Sequence, residues 1–229
     1  MDWDFPVYRA PDEVRGTGTA PVAVRRALTR EEALRFVAGT DPRPLLVLRE
    51  CTVCNKTDDA LLKGGPDNDR TLVLSRFFHC VKLPVDVIDP SHPFNALFPD
   101  NESEHLFVSL AGGESKVALE SEGSRTDLWA GMGRVLELAY DKNPSGSYAD
   151  VLKRIDKLDL LDFKIAEIEA RKGLEMESAR PDRKKVDAMD GEIAGLKGQI
   201  AAEKAAIDKA IALVPKAPLA GAPGAASKK

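Results

Sequence analysis

The chain has 229 residues. The hydrophobic residues, 43% of the total, are enough for a folded core, and the charged residues, 31%, predict a large solvated surface. Its net charge of −4 gives no electrostatic reason to bind nucleic acid, and no apolar run approaches the length of a membrane span. The first residues show neither the basic start nor the apolar stretch of a secretory signal. We therefore expect a cytoplasmic protein, in which thiols are normally kept reduced. The chain has three cysteines, and this odd number also fits a disulfide framework poorly.

The first part of the chain predicts an arm and then a short helix. Residues 1–20 are rich in Pro, Gly, Thr and charge, which favours an irregular N-terminal arm. Thr29 stands three residues before Glu32, the spacing of a capping box. The following segment, EEALRFVAG, predicts a short helix that ends at Gly39.

Two strands are predicted next, with a helix between them. LLVL (45–48) is an uninterrupted apolar run, which is typical of a strand buried on both faces. A helix is expected to begin at Cys51 or Thr52 and to run through Leu61 and Leu62 to Gly64-Gly65. FFHCVKLPVDV (77–87) predicts the second strand.

A hairpin and a closing helix complete the predicted domain. Residues 105–110 and 116–121 are short apolar segments joined by AGGES, which is a β-hairpin signal. Residues 126–140 predict an amphipathic helix. The alternation of strands and helices predicts an α/β sandwich over residues 21–143.

The rest of the chain has a different composition, charged and rich in alanine. Pro181 divides it into two halves of similar length, because proline cannot continue a helix interior. The second half carries a seam in alternating steps of three and four, interrupted only by Glu203; its apolar members are Val186, Met189, Ile193, Leu196, Ile200, Ile207, Ala210 and Val214. We predict a long antiparallel helical hairpin over residues 147–214; the alternative is two helices that pair with other chains. Residues 215–229 are of low complexity and predict a disordered tail.

The cysteines Cys51 and Cys54 form a C-x-x-C motif directly after the first predicted strand. Amide groups and the positive end of the dipole at a helix start stabilise a thiolate, which is the attacking form of cysteine. Cys51 occupies the expected helix cap, and Cys54 lies one turn inside, close enough to close a disulfide. Glu50, directly before Cys51, is an acid that disfavours the thiolate.

The order of elements from about residue 22 to 140 resembles the thioredoxin fold: an apolar strand ending in C-x-x-C, a second strand, a hairpin and a last helix. The resemblance implies that Cys51 is the nucleophile and that Cys54 resolves the mixed disulfide. It departs from the family pattern where Leu45 takes the place of a buried Asp and His105 takes the place of a cis-proline.

Three functions are compatible with these features. The first is thiol–disulfide exchange on a protein disulfide or thiol, with the hairpin binding a coiled-coil partner or a second copy of the chain. The second is a non-enzymatic thioredoxin-fold scaffold that assembles a complex. The third is a metal site made by Cys51, Cys54 and His105, a ligand set that suits a soft or borderline metal. No cofactor is expected. RGTGTAP does not predict a phosphate-binding loop, because it has neither the full glycine spacing nor a strand–helix context.

Overall fold

The computed structural model describes residues 1–9, 27–51, 61–62, 68–99, 105–119, 123–142 and 144–216. The chain divides into two compact units, Met1–Asn143 with Val214–Lys229 and Pro144–Leu213. The predicted arm lies outside the described residues beyond residue 9, and the predicted disordered tail lies outside them beyond residue 216.

The described part of the first unit is a mixed α/β structure, as predicted. Its elements in chain order are α1 (Arg30–Ala38), β1 (Leu45–Arg49), α2 (Asp69–Ser75), β2 (His79–Leu83), β3 (Leu106–Ser109), β4 (Val117–Ala118) and α3 (Arg125–Ala139). Two short 3₁₀ helices, Val85–Ile88 and Asn95–Leu97, lie between β2 and β3. The predicted capping box is confirmed: the Thr29 hydroxyl accepts from the Glu32 amide, and the Glu32 carboxylate accepts from the Thr29 amide.

The four strands form one mixed sheet in the order β2–β1–β3–β4. β1 runs parallel to β2, with Leu45 opposite His79, and antiparallel to β3, with Leu48 opposite Leu106. β4 pairs antiparallel with β3. Beyond β2, Asp4 of the N-terminal segment makes one further parallel bridge with Val81. β1 is therefore an internal strand, bonded on both edges.

Alternating residues of β1 enter two different apolar layers. Leu45 and Val47 pack in a cluster with α1 and the 3₁₀ segments. Leu46 and Leu48 point to the opposite side and are also at most 1% exposed. Helix α2 lies on that second side. Cys80 of β2 is the register partner of Leu46 and lies on the same side of the sheet, and its thiol is 3.4 Å from the carbonyl oxygen of Ser75, the last residue of α2. The sheet is thus covered on both faces, as the uninterrupted LLVL run predicted.

Two elements differ from the prediction. The second strand, predicted over residues 77–87, spans only His79–Leu83. It ends there because Pro84 has no amide hydrogen to continue the ladder, and a 3₁₀ helix follows. Helix α2 was not predicted at all. Its seven residues, DRTLVLS, are too few to show a helical period, and its cap residue Asn68 makes no side-chain capping bond.

The second unit consists of two long helices, α4 (Pro144–Met176) and α5 (Arg183–Ile211), which confirms the predicted helical pair. The break falls at Pro181, as expected, and the Asp182 carboxylate caps α5 by accepting from two amides of its first turn. The helices are antiparallel, since Arg154 pairs with Glu203 near one end and Lys172 pairs with Asp190 near the other. α5 ends at Ile211, earlier than the seam predicted, and Val214 is 84% exposed. Val214 precedes a proline, a position that disfavours helical backbone.

The predicted seam of α5 packs on α4. Ile165 and Ile168 of α4 form an apolar cluster with Ile193, supported by Met189, Leu196 and Ile200. Glu203, the one polar residue in the seam, is held by two cations of α4: it accepts from Arg154 at 2.7 Å and from Lys157 at 2.5 Å. A polar residue at a seam position is satisfied in one alignment only, so this triad favours the observed register.

We predict that Ile168→Ala destabilises the hairpin by about 2–4 kcal/mol, because the side chain is 2% exposed and its removal leaves a cavity. Hydrogen exchange should accelerate in α4 and α5 and not in the sheet. Met176→Ala is the matched control, since Met176 is 58% exposed on the same helix and should change stability by less than about 0.5 kcal/mol. Equal effects of the two substitutions would contradict the seam.

Candidate functional site

The predicted nucleophile lies at the carboxyl end of the internal strand. β1 ends at Arg49, and the Glu50 amide donates to the Leu83 carbonyl at 2.9 Å, so pairing with β2 continues for one residue. Cys51 follows directly and is half-buried. Cys54 lies outside the described residues, so its predicted role as the partner of Cys51 stays a prediction.

The helix predicted to follow the cysteine pair does not extend as far as expected. Leu61 and Leu62 form a turn, although Leu61 is fully buried. The apolar pair predicts burial, but a helix and a turn can both bury a leucine. The predicted start of the helix, residues 52–60, lies outside the described residues.

Alternation along β1 puts Arg49 and Cys51 on the same side of the sheet. Val47 belongs to the cluster that includes α1, and Arg49 is the next position on that side. The Arg49 guanidinium lies 5.7 Å from the centre of the Phe98 ring, which belongs to the same cluster. Because strand pairing continues through Glu50, Cys51 is the following position on this side.

Arg49 and His105 make a shielded polar pair beside this position. Their backbones meet where β1 and β3 lie side by side, and the Arg49 amide donates to the His105 carbonyl at 2.7 Å. The Arg49 Nη2 atom lies 3.1 Å from His105 Nδ1. A guanidinium has only donors, so Nδ1 is the acceptor of this bond. Arg49 is 5% exposed, which keeps water from competing for the contact.

The environment of His105 favours the neutral imidazole. Burial lowers the pKa of His105 below its ordinary 6.5, and the positive charge of Arg49 lowers it further. A neutral ring whose Nδ1 accepts a hydrogen bond carries its proton on Nε2. The ring therefore offers one N–H donor, at Nε2, near neutral pH.

Sequence inspection singled out His105 but missed Arg49. The available signal is that Arg49 ends an otherwise apolar run, LLVLR, at the point where the strand leaves the core. A charged residue that is almost fully buried needs a partner, and the partner here is a residue 56 positions away in sequence. Such a pairing depends on strand order, which the local pattern does not contain.

Glu50 bears less on Cys51 than the sequence suggested. Its carboxylate lies 3.9 Å from the Lys82 ammonium, and Lys82 is also 5.5 Å from the centre of the Trp3 ring. By strand alternation Glu50 lies on the opposite side of the sheet from Arg49 and Cys51. The paired carboxylate is therefore a weak source of negative potential at the sulfur.

The metal hypothesis finds little support from the charges at this site. Among the described residues no group of three His, Cys, Asp or Glu side chains is placed to hold a metal ion. Cys54, one of the three proposed ligands, lies outside those residues. The Arg49 guanidinium occupies Nδ1 of His105 and places a positive charge 3.1 Å from the ring, which disfavours a cation there.

Two further residues of the sheet are plainly structural. Leu45 is fully buried and apolar, so its side chain offers no proton acceptor. Cys80 is 4% exposed, and burial raises the pKa of its thiol to about 12. This thiol stays protonated near neutral pH, which agrees with its predicted role as a small buried hydrophobe.

No protein-family model, no curated protein and no solved structure matches the chain. None of the helices in the described parts of the chain is both long enough and apolar enough to cross a bilayer.

We predict that limited iodoacetamide labelling of the reduced chain at pH 7.5 modifies Cys51 more than about tenfold faster than Cys80. The cause is the buried, protonated state of the Cys80 thiol, set against the half-buried position of Cys51. Peptide mass spectrometry measures both rates in one sample. In denaturant the two rates should converge, and preferential labelling of Cys80 in the folded chain would refute the assignment.

Proposed function

We propose that the first unit is a thioredoxin-like domain that carries out thiol–disulfide exchange through Cys51 and Cys54. The observation that carries this proposal is the position of Cys51, directly beyond the carboxyl end of an internal strand and on the same side as the Arg49–His105 pair.

The topology of the sheet supports the proposed fold. The motif of the resemblance needs a parallel pair of strands, then a hairpin whose first strand joins the pair antiparallel, and a final helix. The order β2–β1–β3–β4, with β1 parallel to β2 and antiparallel to β3, has this arrangement, and α3 follows β4. His105, the residue that takes the place of the cis-proline, directly precedes β3 and bonds to β1.

The proposed reaction needs only the two thiols and a substrate disulfide. The Cys51 thiolate attacks one sulfur of the substrate, forming a mixed disulfide and expelling a substrate thiolate that takes up a proton. Cys54 then loses its proton and attacks the Cys51 sulfur, which releases the second substrate thiol. The cysteine pair loses two electrons and the substrate disulfide gains them, so the exchange balances without a cofactor.

The buried Leu45 bears on the rate of thiol–disulfide exchange. With a leucine at position 45, no carboxylate in β1 takes the proton of Cys54. We therefore propose slow exchange and a couple more oxidising than that of a general reductase, rather than rapid reduction of many substrates.

A second candidate function, assembly of a complex, is favoured by one surface of the hairpin. Leu160, Phe163 and Leu174 of α4 are 53%, 68% and 72% exposed. Steps of three and eleven residues put them on one face of the helix, since eleven residues make about three turns. Ile193 and Ile200 are already used inside the hairpin, so association would use this outer face of α4.

For the exchange reaction, we predict slow reduction of insulin disulfides by the full chain with dithiothreitol as the electron source. Cys51→Ser should abolish the activity, because the attacking thiolate is gone. Cys80→Ser is the matched control and should keep the wild-type rate, since Cys80 is buried and protonated. Activity that survives Cys51→Ser would rule out the proposed nucleophile.

For assembly, we predict that the full chain self-associates and that replacing Leu160, Phe163 and Leu174 by Gln abolishes the association. The physical reason is the loss of the apolar surface that a second copy would bury. Light scattering at high micromolar concentration measures the mass, and Leu138→Gln, on the exposed side of α3, is the control. A monomeric wild-type chain would contradict self-association.

A further inference from the structure

The hydrogen bond between Arg49 and His105 limits what the imidazole can do. Histidine beside a cysteine commonly acts as a charged partner of the thiolate or as a base. Both roles need the lone pair of one ring nitrogen to accept a proton. Here the Nδ1 lone pair already accepts from Arg49 at 3.1 Å, in a contact shielded by the 5% exposure of Arg49.

The charges around His105 also oppose an imidazolium. The Arg49 guanidinium places its positive charge against the ring, with Nη2 3.1 Å from Nδ1, and this charge lowers the pKa of His105. Glu50, the acid beside Cys51, is on the opposite side of the sheet and lies 3.9 Å from Lys82, and Glu104, directly before His105 in sequence, lies outside the described residues. The described charge that contacts the ring is therefore positive.

The remaining polar atom of the ring is Nε2, which carries the hydrogen. Cys51 is the next position after Arg49 on this side of the sheet, and His105 is the residue opposite Arg49 across the β1–β3 pair. A hydrogen-bond donor at this place stabilises a thiolate without changing its own charge. An Arg–His pair gives that donor a fixed orientation, because the ring cannot flip without losing its bond at Nδ1.

We propose that His105 is a positioning residue that acts as a neutral Nε2–H donor toward the Cys51 thiolate and is held in that tautomer by Arg49. The proposal takes from the proposed function only that Cys51 is the reactive thiol. It makes the reactivity of Cys51 independent of any histidine titration, so the reactivity follows the titration of the Cys51 thiol alone.

The test is the rate of iodoacetamide labelling of Cys51 in the reduced full chain between pH 5 and 9. The wild-type profile should rise with one step, that of the thiol. His105→Gln keeps an amide donor and cannot titrate, so it should match the wild-type profile within about twofold. His105→Phe has no donor and should raise the apparent pKa of Cys51 by about one unit, which lowers the rate at pH 6.5 about tenfold.

Two controls keep the result interpretable. Slow labelling of Cys80 in each variant shows that the sheet is intact. A long-range ¹H–¹⁵N correlation spectrum of the wild-type chain reads the His105 tautomer directly and does not depend on any substitution. The expected spectrum is that of a neutral ring protonated at Nε2.

Three outcomes would overturn the proposal: a second step in the wild-type profile that disappears in His105→Gln, an unchanged profile in His105→Phe, or a ring protonated at Nδ1. The insulin reduction assay is separate. If it shows no turnover while the labelling profiles are as expected, the proposed exchange function fails and the role of His105 stands.

Discussion

The structure of the first unit depends on the burial of β1 on both faces and both edges. Leu45 to Leu48 are at most 1% exposed, and the strand is bonded to β2 on one side and to β3 on the other. Each of these four apolar side chains contributes roughly 1.5–3 kcal/mol by leaving water, so the register is strongly fixed. Polar chemistry is then confined to the ends of the strand. At the carboxyl end, the three residues that follow Leu48 are polar: Arg49, Glu50 and Cys51.

That confinement explains why the site is built from paired polar groups. Arg49 is too buried to remain without a partner, and Phe98 and His105 provide one. The hydrogen bonds from Arg49 to the carbonyl oxygen and to Nδ1 of His105 hold His105 against β1, and the second of them fixes which ring nitrogen carries the proton. In the hairpin, Glu203 follows the same logic, since a carboxylate in an apolar seam is tolerated because Arg154 and Lys157 reach it. In any other alignment of the two helices, Arg154 and Lys157 would not reach Glu203 and its charge would be unpaired. Arg49 and Glu203 therefore each favour one arrangement of the elements around them.

The sequence predicted the features that are local and missed those that depend on strand order. The capping box at Thr29, the apolar run of β1 and the break at Pro181 each follow from a few neighbouring residues, and the structure confirms them. Helix α2 was missed because seven residues show no period, and the second strand was drawn too long across Pro84. Arg49 was missed because its partner lies on another strand. Cys54 is outside the described residues, so its pairing with Cys51 stays a prediction.

The central claim is that Cys51 and Cys54 form one reversible redox couple at the end of β1. The most direct measurement is an equilibrium titration of the full chain in glutathione buffers of graded potential, with the linked peptides identified by mass spectrometry. The claim predicts a single two-electron transition that joins Cys51 to Cys54, at a potential above the roughly −270 mV typical of thioredoxin. Cys51 and Cys54 that remain unlinked at every potential, or a linkage that involves Cys80, would contradict it.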